Sequence, residues 1–230
     1  MKNRPDGSFE TMLSPIRAGQ HTLRNRVIMG SMHTRLETEP DGIAKQIAFY
    51  AERARGEAAI LVTGGVSPNA EGIFDPEGPR IDDPEEARSL RPICEAVQAE
   101  GSLICAQLLH AGRYAKIEGC VAPSPIRAPI NRFIPREMTE ADILRTIEDF
   151  AVAAANALAA GFDGVEIMGS EGYLITQFCA RRTNDRDDEW GGSFDNRIPF
   201  PVEIVRRSRE RVGLEFLIVY RISALDLVED

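Results

Sequence analysis

No two cysteines of this chain are spaced to share a metal. Cys94, Cys105, Cys120 and Cys179 stand far apart with no Cys-x-x-Cys, so neither a zinc nor an iron–sulfur signature is present. Four scattered cysteines without a secretory segment imply reduced thiols and a cytoplasmic location. No apolar run approaches the roughly 20 residues of a membrane span. Gly-x-Gly-x-x-Gly and the Walker loop are both absent, which removes support for the Rossmann and P-loop classes. Positive charge is in deficit: 27 Lys and Arg against 36 Asp and Glu leave a net charge of −9. A nucleic-acid partner needs clustered cations, so that class is disfavoured too. No Ser-His-Asp arrangement or metal cluster argues for acyl transfer or metal-assisted hydrolysis.

What is present is an alternation. Hydrophobic residues make up 43% of 230, enough for one sizeable core. No low-complexity linker divides the chain, so residues 1–230 are read as one domain. The pattern predicts strands over residues 26–30, 58–63, 102–108, 164–168 and 216–222. Helices are predicted over 43–54, 84–100 and 196–212, with another begun at Thr139, where Asp142 completes a weak capping box, and ended at Gly161. Residues 112–138 carry Pro123, Pro125, Pro129 and Pro135 and are read as a long functional loop. Strands apolar on both faces, alternating with helices, imply a parallel sheet in an α/β fold. A doubly wound sheet and an incomplete (β/α)8 barrel both fit the count.

In either architecture ligands bind at the carboxyl ends of the strands. Those ends read Gly30-Ser31-Met32-His33, Thr63-Gly64-Gly65, Gln107 to His110, Gly169-Ser170-Glu171-Gly172-Tyr173 and Tyr220-Arg221. The fourth puts an acid and a phenol side by side. The charged, glycine-ended stretch 181–192 that follows suits a working loop. Each residue also has a structural reading: Tyr173 covering a strand end, Glu171 capping the next helix, Gln107 satisfying buried backbone, Arg221 in an ion pair, His33 and His110 packed. Asp185, Asp187, Asp188 and Glu189 are read as a solvated face.

Several motifs resemble the Old Yellow Enzyme family of flavin barrels. They are Leu13-Ser14-Pro15-Ile16, Leu23-Arg24-Asn25-Arg26-Val27, Ala48-Phe49-Tyr50-Ala51-Glu52-Arg53-Ala54, Gln107-Leu108-Leu109-His110-Ala111-Gly112-Arg113 and the run from Asp188 to Arg197. Met29 to Thr34 and Met168 to Ile175 are most similar to the branch of bacterial NADPH-dependent 2,4-dienoyl-CoA reductases. The resemblance implies a TIM barrel with about five of its eight β/α units present, holding FMN at the strand ends. It assigns Ser31, Met32, His33, Gln107 and Arg221 to the flavin, Tyr173 to proton donation and Glu171 to placing or polarising that phenol. Arg182, with Arg181 beside it as an equal, and His110 would contact an acyl-CoA substrate. Met168 and Glu171 stand where typical ene-reductases carry a carbonyl-binding pair, and a methionine cannot donate a hydrogen bond. That favours the dienoyl thioester over a simple enone. Another ene-reductase activity and an inactive truncated barrel are the competing readings.

The resemblance places a flavin phosphate site, a further histidine and regions for NADPH, FAD and a [4Fe–4S] cluster beyond Asp230. An open barrel edge would favour self-association. The 230-residue chain alone is therefore expected to bind FMN weakly and to turn over poorly. Stoichiometric flavin absorbance co-purifying with it would contradict that expectation.

Overall fold

The computed structural model describes residues 9–225. Five strands form one parallel sheet: β1 (Ile28–Met29), β2 (Ile60–Val66), β3 (Leu103–Leu108), β4 (Gly164–Gly169) and β5 (Leu217–Ile222). Each strand pairs with the next in sequence, from β1 to β5 without reversal. A doubly wound sheet reverses its strand order at a switch point. This sheet does not, and with right-handed crossovers its helices gather on one face. The result is a partial TIM barrel.

Side chains alternate between the two faces of a strand. Ile104, Ala106 and Leu108 of β3 and Val165 and Ile167 of β4 join the large core under the helices. Cys105 points the other way, into a smaller cluster with Leu23, Ile60 and Val62. By the same period, Gln107, Glu166, Met168 and Arg221 share the concave face.

The helices are α1 (Gly42–Arg55), α2 (Pro84–Ser89), α3 (Arg91–Ala99), α4 (Glu140–Ala160), α5 (Leu174–Cys179) and α6 (Pro199–Val212). The longest, α4, begins as its sequence predicts: the Thr139 side chain accepts from Asp142 N, and the Asp142 carboxylate accepts from Thr139 N. Gly161 ends it at φ 100°, a conformation that costs glycine nothing. Ile143, Ile147 and Phe150 are fully buried along its inner stripe.

The structure corrects three sequence expectations and adds one element to them. The predicted helix 84–100 is two helices meeting at Leu90, because Pro92 brings no N–H and its ring opposes the carbonyl four residues back. The predicted helix 196–212 begins at Pro199, after a separate turn Phe194–Arg197 capped by Ser193. The stretch 112–138 is not loop throughout: Val121–Ala122 and Arg136–Glu137 pair in parallel. An N-terminal hairpin, Ile16–Ala18 with His21–Leu23, escaped the sequence reading. Its Ile16, Ala18 and Leu23 pack on Ile60, Val62 and Cys105 and close one end of the sheet.

Arg136 and Arg145 both donate to Asp142, at 2.6 and 2.9 Å. The Arg136 bond, with the help of Thr139, holds the Asp142 carboxyl well below the usual carboxylate range. Its ionised form therefore stabilises the fold above the unfolded-state pKa of about 4, and that contribution is lost as pH falls. Asp142→Asn should cost on the order of 1 kcal/mol at pH 7, since both arginines are half-exposed and screened. Denaturant unfolding should show the gap from wild type closing below about pH 4.

Candidate active site

A cleft of about 270 Å³ opens at the carboxyl ends of the strands. Ser31, His33, Gln107, Met168, Glu171, Tyr173 and Arg221 line it, with Phe74, Pro79 and Leu109 as its apolar walls. A second cleft of about 340 Å³ adjoins it through His33, Gly65 and Pro79 and reaches under α1.

The turn after β4 is tightly constrained. Glu171 sits at φ 62° and Gly172 at φ 80°, two consecutive left-handed residues. Glycine suits the second, where a Cβ would come within 2.8 Å of the Tyr114 hydroxyl. For Glu171 the conformation costs about 1–2 kcal/mol, and two contacts offset it. Its Oε1 accepts from Arg221 Nη2 at 2.6 Å, and its backbone N–H donates to Ser223 Oγ at 3.2 Å. Both partners lie at the end of β5, so the turn is closed from the neighbouring strand.

Tyr173 follows as the residue that opens α5, and no side chain caps that helix. Its ring meets Tyr114 edge to face, with centroids 5.9 Å apart. Burial raises its hydroxyl pKa above the ordinary value, the Glu171 and Tyr114 charges push the same way, and Arg221 opposes them. The phenol is thus kept protonated. Glu171 contacts Arg221 by hydrogen bond and reaches Tyr173 through its charge.

Gln107 is 3% exposed. Its Oε1 accepts from Ser31 Oγ at 2.9 Å, and its Nε2 donates to Glu166 Oε1 at 2.7 Å and faces Met168 Sδ at 3.7 Å. Ser31, His33, Gln107, Glu171, Tyr173 and Arg221 are therefore brought together on one cleft. Three residues named from the sequence stand apart from it. Met32 is half-exposed and lines the adjoining cleft. Arg182 is exposed on the turn Arg181–Thr183. His110 is buried beneath the site; its Nδ1 accepts from Gly112 N at 3.1 Å, and its ring packs against Gly72. Burial, reinforced by Arg145, pushes its pKa down to about 3, so it is neutral.

The charged stretch 181–192 does not behave as a free loop. The Arg186 side chain is 6% exposed and donates to the carbonyls of Pro123 and Met138 at 2.9 and 2.7 Å. Asn184 Nδ2 donates to the carbonyls of Phe178 and Trp190. Asp185, Asp187, Asp188 and Glu189 are exposed, as expected of a solvated face. Sequence reading missed Arg186 as an anchor and Glu166 as a buried acid. The signal for Glu166 was available: a carboxylate inside a strand whose every residue is apolar or glycine otherwise. Among the described residues no group of three His, Cys, Asp or Glu is placed to hold a metal ion.

Residues 11–230 match the NADH:flavin oxidoreductase / NADH oxidase family. A metal reductase of Desulforamulus reducens is 41% identical over 94% of this chain and 33% of its own length. An NADH oxidase of Thermoanaerobacter brockii is 38% identical over 96% of the chain and 35% of its length. Among solved structures, a 2-naphthoyl-CoA reductase in complex with 2-naphthoyl-CoA superposes with a TM-score of 0.84. It is 29% identical, over 92% of this chain and 35% of that one. The chain spans about a third of the length of these relatives.

Replacing Glu171 by Gln removes the charge that reinforces the Tyr173 shift. The Tyr173 pKa should fall towards the ordinary tyrosine value without losing the upward shift, because burial is the larger cause. Ultraviolet difference titration, with Tyr173→Phe used to assign the signal, measures this; a rise would overturn the electrostatic account.

Proposed function

Because the chain belongs to the NADH:flavin oxidoreductase / NADH oxidase family, we propose that its strand-end cleft holds FMN and serves the reduction of a conjugated acyl-CoA, a 2,4-dienoyl-CoA, with electrons from NADPH. The observation that carries this reading is the convergence of an amide, a cation and a protonated phenol on one cleft with apolar walls. That donor set fits a flavin ring system. Gln107 and Ser31 offer hydrogen-bonding groups suited to its pyrimidine edge, and Arg221 a fixed cation for the charge that edge gains on reduction. Phe74, Pro79 and Leu109 suit its apolar portion.

When bound, FMN supplies hydride to the conjugated system. Tyr173 holds the matching proton at Oη, kept there by burial and by Glu171. Glu171 also tethers Arg221, so the cation and the proton donor are spaced by one residue's contacts. Met168 presents a thioether, which accepts weakly and donates nothing, so a substrate carbonyl gains no hydrogen bond there. That supports a thioester over a simple enone, as does the likeness to a reductase whose structure holds 2-naphthoyl-CoA. FAD and a [4Fe–4S] cluster belong to this reading through the dienoyl-CoA resemblance alone.

In the holoenzyme, Tyr173→Phe should leave flavin reduction by NADPH intact and slow reduction of a 2,4-dienoyl-CoA by about 10²–10⁴-fold, the usual share of a positioned general acid. Stopped-flow absorbance separates the two half-reactions. Unchanged alkene reduction would remove Tyr173 from the donor role.

A further inference from the structure

We propose that Glu166 is a positioning residue for the flavin site: it fixes the orientation of the Gln107 amide so that the cleft is offered a hydrogen-bond acceptor, one that selects the imide N3–H of the ring. The inference rests on the FMN reading above and adds to it a residue outside the cleft lining and a specific edge of the ligand.

Gln107 and Glu166 are direct register partners on the adjacent strands β3 and β4, and both point to the concave face. Glu166 is 6% exposed, an acid embedded in a wholly buried strand. Its Oε1 lies 2.7 Å from Gln107 Nε2. A buried carboxylate needs such a donor, because desolvation without one costs several kcal/mol.

The chemistry of the neighbours allows one orientation of the amide. The Glu166 oxygen in this contact accepts, and the Met168 sulfur, 3.7 Å away, also accepts. Both therefore face the amide NH₂ and occupy its two protons. The amide oxygen is left on the other side, where Ser31 Oγ donates to it at 2.9 Å. A carbonyl oxygen has two lone pairs, so one remains free. Gly65, the register partner of Gln107 on β2, makes room for that oxygen: a Cβ at 65 would lie 3.1 Å from it. Gln107 lines the cleft, so the free group it shows there is an acceptor. The pyrimidine edge of an isoalloxazine carries a single N–H between two carbonyls, and an acceptor pairs only with that N–H.

Glu166→Gln preserves size but gives residue 166 a donor as well as an acceptor. The Gln107 amide can then turn over, and the acceptor is no longer enforced. The probes are FMN and N3-methyl-FMN, titrated by fluorescence against the flavin-free form of the whole enzyme. Wild type should bind FMN about five- to tenfold more tightly than the N3-methyl form, the usual weight of one hydrogen bond. In Glu166→Gln the ratio should fall towards one, mainly through weaker FMN binding. A Glu166 that merely satisfies packing would lower stability and leave the ratio intact, and that result overturns the proposal. Failure of wild type to bind FMN at all would instead remove the flavin reading. A second measurement needs neither variant nor flavin. In the ligand-free chain the Gln107 side-chain NH₂ should give one proton shifted downfield and slow to exchange, as expected of a bond to a carboxylate. Signals like those of a solvent-exposed glutamine would also overturn the assignment.

Discussion

The two-residue alternation of a strand is the constraint on which the rest of this structure depends. On β3 and β4 it sends Ile104, Ala106, Leu108, Val165 and Ile167 under the helices and leaves Cys105, Gln107, Glu166 and Met168 on the opposite face. Because the five strands follow one another in sequential order, right-handed crossovers put the helices on the first face. The second face is therefore free to hold polar groups. Those groups are still buried, so each must find its partner on the same surface. Gln107 does so at both ends of its amide, through Ser31 on the oxygen and Glu166 and Met168 on the nitrogen, with one lone pair of the oxygen left over.

Local strain and long-range charge meet at the end of β4. Glu171 adopts a left-handed conformation that its own side chain disfavours, and Arg221 and Ser223 compensate from fifty residues further on. The same carboxylate raises the Tyr173 pKa alongside burial. One ion pair thus shapes the turn and holds the cation, and its carboxylate adds to the burial that keeps the phenol protonated. The outer loops are arranged to protect this geometry. Arg186 ties the stretch after α5 to two carbonyls of the proline-rich stretch 112–138, those of Pro123 and Met138.

Much of the fold was legible before any coordinates. The five strands, the Thr139–Asp142 box and the Gly161 stop follow from patterns that act over a few residues, and all appear in the structure. The errors were of two kinds. Pro92 falls inside the helix predicted over 84–100 and Pro199 inside the one predicted over 196–212, though each stands in the first turn of a separate helix. The hairpin at Ile16–Leu23 was missed because three-residue strands carry too little pattern; it is held by the core cluster it covers. At the site, Ser31, His33, Gln107, Glu171, Tyr173 and Arg221 were named from strand ends and motifs, and they meet in one cleft. Arg182, Met32 and His110 carry suitable side chains but face elsewhere, since motif membership does not fix the direction in which a side chain points.

The sequence by itself determined the α/β alternation, the strand-end positions of the polar residues and the family to which they belong, because each depends on near-neighbour periodicity or on residue identity. Only the tertiary structure chose the sequential sheet over the doubly wound one, since strand order is a relation between distant segments. It also decided that Glu171 pairs with Arg221, that Arg186 serves as an anchor and that Glu166 faces Gln107. Those contacts join residues 48 to 63 positions apart. Their energies depend on burial and on the directions of the groups, neither of which a linear chain specifies until the sheet has formed.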